Sequence, residues 1–195
     1  MLTQSTSPAE GRRTIELVAL TGFMGSGKSS VGGALAALLG WKFLDLDYII
    51  ETREKRRIPE LFSAHGEEKF REMETEALRA LLREAERPFV LATGGGTFIR
   101  QDNAALLRAH GALVIFLEAS TETLAKRCCD GMAGNEQSAR PLARDREAFL
   151  RLYEQRLPFY RSAELTFDSD RKSPEEAARE IEAVLRASAH LSVRQ

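Results

Sequence analysis

The eight residues Gly22-Phe23-Met24-Gly25-Ser26-Gly27-Lys28-Ser29 constrain this chain more than any other stretch. They fit G-x-x-x-x-G-K-[ST], the loop that wraps nucleotide phosphates. Average composition would produce that pattern by chance in a chain of this size about once in 100. Its glycines let the backbone curl until several N–H groups point inward at phosphate oxygens. In that pattern Lys28 reaches the β- and γ-phosphates, and the Ser29 hydroxyl offers one coordination position to Mg2+. Residues 15–20 read as a buried strand entering the loop, and residues 28–39 as a helix leaving it. The start of that helix adds partial positive charge to the cradle. The dinucleotide fingerprint G-x-G-x-x-G does not fit, because the glycines fall at 22, 25 and 27.

Downstream the pattern alternates. A strand over 41–46 runs into Asp45-Leu46-Asp47, and a charged helical segment covers 48–57. Pro59 suits the first turn of a short helix that Gly66 breaks. Phe70, Met73, Ala77, Leu78, Leu81 and Leu82 then recur at helical spacing within 67–87. Residues 89–93 form a buried strand running straight into Gly94-Gly95-Gly96. Helices follow over 102–110, 121–128, 144–161 (interrupted near Pro158) and 174–187, with strands over 112–117 and 165–168. Such alternation predicts an α/β fold with a parallel sheet covered on both faces. Ligands of such sheets bind outside the carboxyl ends of the strands. The phosphate loop, Asp45/Asp47 and Gly94–Gly96 should therefore converge on one crevice.

Composition bounds the setting. The 195 residues, 43% hydrophobic and 29% charged, suit one globular domain, placed here at 14–188. Residues 1–13 read as a disordered polar tail without a secretory core, 129–143 as a mobile loop, and 189–195 as a C-terminal tail. A net charge of −1 gives no basic field for nucleic acid, and no apolar run reaches membrane-spanning length. It is also compatible with a monomer. Cys128 and Cys129 are adjacent and make neither a disulfide framework nor a metal spacing. Two reduced thiols point to the cytoplasm.

Asp45 and Asp47 stand two apart, on one side if strand geometry persists. One could hold Mg2+, directly or through water, and the other could accept a proton from a substrate hydroxyl. Either could equally cap the following helix. Gly94–Gly96 allow close backbone approach to a ligand, or form a plain turn. Arg71, Arg140 and Arg156 carry a planar fork suited to carboxylate and phosphate, although any one of them alone reads first as solvated surface. These residues alone give a phosphotransferase or nucleotide hydrolase without a substrate.

Together the motifs resemble the shikimate kinase family over residues 15–187. The matching pieces are Gly-Phe-Met-Gly-Ser-Gly-Lys-Ser at 22–29, Asp-Leu-Asp at 45–47 with Ile50-Glu51, and Phe62-x-x-x-Gly66-Glu67-x-x-Phe70-Arg71-x-x-Glu74. Ala92-Thr93-Gly94-Gly95-Gly96, Arg140-Pro141-Leu142 and Arg156-x-Pro158-x-Tyr160 follow in the family's order. The resemblance implies ATP-dependent phosphorylation of the 3-hydroxyl of shikimate. It also implies a three-layer fold with a five-stranded parallel sheet in the order 2-3-1-4-5, and a lid near 129–143. Gly25, Ser26, Gly27, Lys28, Ser29 and Ser30 would cradle the ATP phosphates, and Ser29 would hold Mg2+ with Asp45 helping through water. Asp47 would bind substrate hydroxyls as the candidate base. Arg71 and Arg156 would grip the carboxylate, with Gly94, Gly95 and Gly96 lining the substrate site. Arg140 would approach the transferring phosphate, and Arg127 and Pro174 match the pair that sandwiches adenine.

The chain departs from the family at Asn103-Ala104, where Asn-Arg is frequent, and over 129–139, which match only in length and small-residue character. One rival is a kinase of another small hydroxylated acid or of a nucleotide; gluconate kinases share the loop, but the Arg71 motif and the triple glycine argue against them. A non-catalytic sensing module should have lost a phosphate or base residue, or carry a fused DNA-binding segment. Thirteen N-terminal residues are too few for a helix-turn-helix.

Overall fold

A computed structural model of the chain describes residues 14–130 and 146–187. Five strands form one parallel sheet in the order β2-β3-β1-β4-β5. They are β1 (Leu17–Thr21), β2 (Lys42–Asp45), β3 (Phe89–Ala92), β4 (Leu113–Glu118) and β5 (Leu165–Asp168). Seven helices connect and cover them among the described residues: α1 (Lys28–Leu39), α2 (Leu46–Glu54), α3 (Ile58–Glu84), α4 (Gln101–Ala109), α5 (Thr121–Asp130), α6 (Arg146–Tyr160) and α7 (Pro174–Ala187).

The central strand explains the layering. Every residue of β1 is buried, as expected of a parallel strand covered on both faces. Its side chains alternate between two cores. Leu17 and Ala19 pack with Leu46, Ile50, Phe70 and Leu78 from α2 and α3. Val18 and Leu20 pack with Val31 and Leu35 of α1 and with Ile181 and Leu185 of α7. A third cluster, around Phe23, Phe116, Phe149, Tyr153 and Tyr160, seats α5 and α6 beside the phosphate loop. Register in the middle of the sheet pairs Leu20 with Ala92 and with Ile115, so β3 ends one residue short of β1 and β4 runs on past both to Glu118.

Two element boundaries differ from the sequence reading in ways that affect the site. Helix α2 begins at Leu46, not at 48, and strand β2 stops at Asp45. Asp45 ends the strand in an extended conformation and caps the helix, its Oδ1 accepting from the backbone N–H of Asp47 and of Tyr48. Asp47 is therefore helical, and the shared-side expectation from strand geometry does not apply. The expected break at Gly66 is present as a single non-helical residue, with φ 77°, inside α3.

Candidate active site

The phosphate loop leaves β1 and enters α1. Gly22, Gly25 and Gly27 all adopt positive φ, a region that disfavours any side chain. Neighbours make two of these positions stricter still. A Cβ at Gly22 would lie 2.8 Å from the Leu117 carbonyl oxygen, and one at Gly25 would lie 2.7 Å from that of Leu124. The loop is thus clamped against β4 and α5. Its Lys28 Nζ donates to the Gly22 and Phe23 carbonyls at 3.0 and 2.9 Å. Ser169 Oγ, just beyond β5, donates to Ser26 O at 3.2 Å and braces the loop from behind. The Ser26 hydroxyl is buried without a hydrogen-bond partner; such a group is an expected feature of a cradle that takes a polar ligand.

Ser29 begins the second residue of α1, and its hydroxyl donates to Asp45 Oδ2 at 2.5 Å. The pair offers oxygen donors, the chemistry Mg2+ selects. Among the described residues no group of three His, Cys, Asp or Glu side chains could hold a metal. That donor set fits an ion that keeps several waters and completes its shell with phosphate oxygens.

The triple glycine after β3 is the meeting point of the other candidates. A Cβ at Gly95 would lie 3.7 Å from Met24 N and 3.8 Å from Gly22 O, so the two glycine loops touch. A Cβ at Gly94 would lie 2.7 Å from Asp47 Oδ1 and 2.6 Å from Glu74 Oε1. At Gly96 it would overlap the Arg71 guanidinium. Arg156 Nη1 donates to Gly95 O at 3.5 Å, and Tyr160 OH donates to the same oxygen at 2.5 Å. Asp47, Arg71 and Arg156 therefore surround one loop of three residues, which itself rests on the phosphate loop.

Electrostatics holds the arginines in place. Arg71 Nη1 donates to Glu74 Oε2 at 3.0 Å and Nη2 to Glu67 Oε1 at 3.4 Å. Its guanidinium also stands over the rings of Phe62 and Phe70, 5.7 and 5.3 Å from their centroids, a favourable cation–π arrangement. Arg156 faces the Phe23 ring at 5.9 Å. Burial pushes the Tyr160 phenol up to about 12, partly opposed by the Arg156 charge, so it stays a donor at physiological pH.

On the nucleotide side, Arg127 Nη2 donates to Ser169 O at 2.8 Å and to Lys172 O at 3.4 Å, two residues before Pro174 opens α7. Its Nη1 comes within 4.0 Å of a Cβ built at Gly27. Arg127 and the turn before Pro174 thus stand together beside the phosphate loop. Arg140 and most of the expected lid lie outside the described residues.

The family model for shikimate kinase matches residues 24–186. The chain belongs to the shikimate kinase family. Its activity is the ATP-dependent phosphorylation of shikimate. Shikimate kinase from Geobacter metallireducens is 42% identical over 91% of this chain and 96% of its own length. That from Moorella thermoacetica is 42% identical over 87% and 94%. Among solved structures, shikimate kinase from Acinetobacter baumannii in complex with shikimate superposes with a TM-score of 0.79, at 29% identity over 92% of this chain and 98% of that one. The sheet order expected of the family is the one observed.

In this shikimate kinase the structure brings Asp47, Arg71, Arg156 and the triple glycine to one place, and it adds supports that the sequence did not mark. Glu74 was visible only as a letter in the Arg71 motif. Thr97, Tyr160 and Ser169 carried no role, although Tyr160 closes the Arg156 motif. A buried side chain such as Glu74, with 1% of its surface exposed, can be recognised only once its cation is seen beside it.

Proposed function

We propose that Asp47, Lys28 and Arg140 carry the catalytic step of shikimate phosphorylation, with the 3-hydroxyl as acceptor. The observation that supports this most is the contact between the Gly94–Gly96 loop, bearing Asp47 and Arg71 at its sides, and the backbone of the phosphate loop. Arg71 and Arg156 grip the substrate carboxylate, each through the two-pronged geometry suited to it. Gly94, Gly95 and Gly96 form the floor, where any side chain would displace Asp47, Glu74 or Arg71. The hydroxyl oxygen attacks the γ-phosphorus, the bond to the β-phosphate oxygen breaks, and Asp47 takes the hydroxyl proton or orients its departure.

Gly25, Ser26, Gly27, Lys28, Ser29 and Ser30 hold the ATP phosphates. Lys28 exchanges its two loop carbonyls for phosphate oxygens. Arg127 and Pro174 face the adenine. Ser29 holds Mg2+ with Asp45 behind it, and the ion when bound offsets negative charge on the phosphates. Phosphoryl transfer depends mainly on such positioning and charge neutralisation. A lid over about 129–143, bringing Arg140 to the transferred group, would keep water from taking the phosphate.

The matching setting is a monomer in the cytoplasm, acting without membrane or nucleic acid. No described helix is long and apolar enough to cross a membrane. The exposed large apolar residues Leu38, Tyr48, Phe159 and Val184 sit on four different helices. The deciding experiment is ADP release with and without shikimate, run beside gluconate and a nucleoside monophosphate. Shikimate-dependent release alone is expected; comparable turnover of either other acceptor refutes the reading. Sedimentation checks the monomer.

A further inference from the structure

Behind the triple glycine runs a buried polar chain that the reaction scheme leaves unused. Glu74 accepts one hydrogen bond on each carboxylate oxygen. Oε2 takes Arg71 Nη1 at 3.0 Å, and Oε1 takes the Thr97 hydroxyl at 2.7 Å. Thr97 is wholly buried. Its N–H donates to Gly94 O at 3.1 Å, closing the glycine turn. Its carbonyl accepts from Asn103 Nδ2 at 3.1 Å, which ties the turn to the first residues of α4. The hydroxyl is thus held by its own backbone and aimed at the carboxylate.

A buried carboxylate needs a donor on each side. Glu74 also faces the Asp47 carboxylate across Gly94, where a single Cβ would lie within 2.7 Å of an oxygen from each. Without the Thr97 hydroxyl, Oε1 would stand unpaired beside that second negative charge. The available donor is the guanidinium already bonded to Oε2. Turning it to serve both oxygens draws Arg71 off Gly96 and away from the substrate floor.

We propose that Thr97 is a positioning residue for shikimate: its hydroxyl fixes the Glu74 carboxylate, which in turn presents the Arg71 guanidinium at Gly96. This rests on Arg71 gripping the substrate carboxylate.

The test is Thr97→Val, which replaces the hydroxyl with a methyl group at nearly constant volume, beside Thr97→Ser, Arg71→Ala and the Thr97→Val/Arg71→Ala double variant. The expected result for Thr97→Val is a shikimate KM raised about five- to tenfold, the effect of one buried hydrogen bond. The ATP KM and kcat should stay within about twofold, since Thr97 touches neither ATP nor the reacting atoms. Thr97→Ser should restore the shikimate KM. In the Arg71→Ala background the Thr97→Val change should add nothing, since residues acting in one chain couple. An unaltered shikimate KM in Thr97→Val, with Arg71→Ala impaired, overturns the role of Thr97 and leaves that of Arg71 standing. Unaltered binding in Arg71→Ala overturns both. Shikimate and ATP constants rising together, or no recovery with serine, would mean a general packing role. If the valine protein does not fold, Thr97→Ala against Thr97→Ser decides by the same criteria.

Discussion

The Ser29 hydroxyl donates to Asp45 Oδ2 at 2.5 Å, while Asp45 Oδ1 caps α2 through the N–H groups of Asp47 and Tyr48. One carboxylate thereby joins the first turn of the phosphate-binding helix to the helix that carries Asp47. Ser29→Ala should raise the Mg2+ concentration needed for half-maximal activity about tenfold, the usual scale for losing a group that orients a metal site. Asp45→Ala should do the same and also lower stability by about 1 kcal/mol through the lost cap. Metal titration of activity and thermal unfolding separate the two effects.

Asp47 lies beside Gly94, in the first turn of α2. Asp47→Asn should lower kcat about 100-fold or more, the range for losing a general base, with ATP affinity nearly unchanged. Single-turnover rates and nucleotide titration check this, and an unchanged rate removes Asp47 from the proposed chemistry.

Arg71 has its aromatic shelf and Glu74 on one side and the backbone of Gly96 on the other. Arg71→Ala should raise the shikimate KM about 10- to 100-fold, the scale of a lost charge-assisted hydrogen bond, and leave the ATP constant alone. Gly96→Ala should mimic it in part. Its Cβ would occupy the guanidinium position, yet the flexible tip can move aside, so the fold should survive. Steady-state kinetics with each substrate varied in turn distinguishes these outcomes.

Tyr160 supplies a pH dependence of known sign. Its phenol is pushed up to about 12 by burial, against 10.0 ordinarily. From about pH 10 the unfolded chain releases this proton while the folded one keeps it. The contribution is therefore complete below about pH 10 and is lost as the pH rises toward 12, by about 3 kcal/mol at most. Tyr160→Phe should lose less stability between pH 9 and 11.5 than the parent, although it starts lower for want of the bond to Gly95 O. Denaturant unfolding at both pH values gives the difference.

The architecture could be read from the sequence because its determinants are local. Buried strands and the glycines between them carry their own periodicity, and Gly40 and Gly66 adopt the positive φ that their places at a helix end and a helix break require. The site was legible where a residue type admits few uses, as at Lys28 and Ser29. It was less so at Asp45, where capping and metal support looked like alternatives. The structure shows one oxygen serving as cap while the other meets Ser29. The link between Glu74 and Thr97 was silent because the two lie 23 residues apart in sequence. Only the fold brings a hydroxyl after β3 to a carboxylate on α3.

Strands β1 and β3 are neighbours in register, Leu20 beside Ala92, and each ends in one of the two touching glycine loops. Neighbouring strands stand about 4.8 Å apart. The backbone ladder is therefore a ruler: it sets the gap between the two glycine loops. A slip of one residue between β1 and β3 would advance one platform by about 3.3 Å while every motif remained intact. In this chain, the spacing of the two loops is a property of the sheet before it is a property of any side chain.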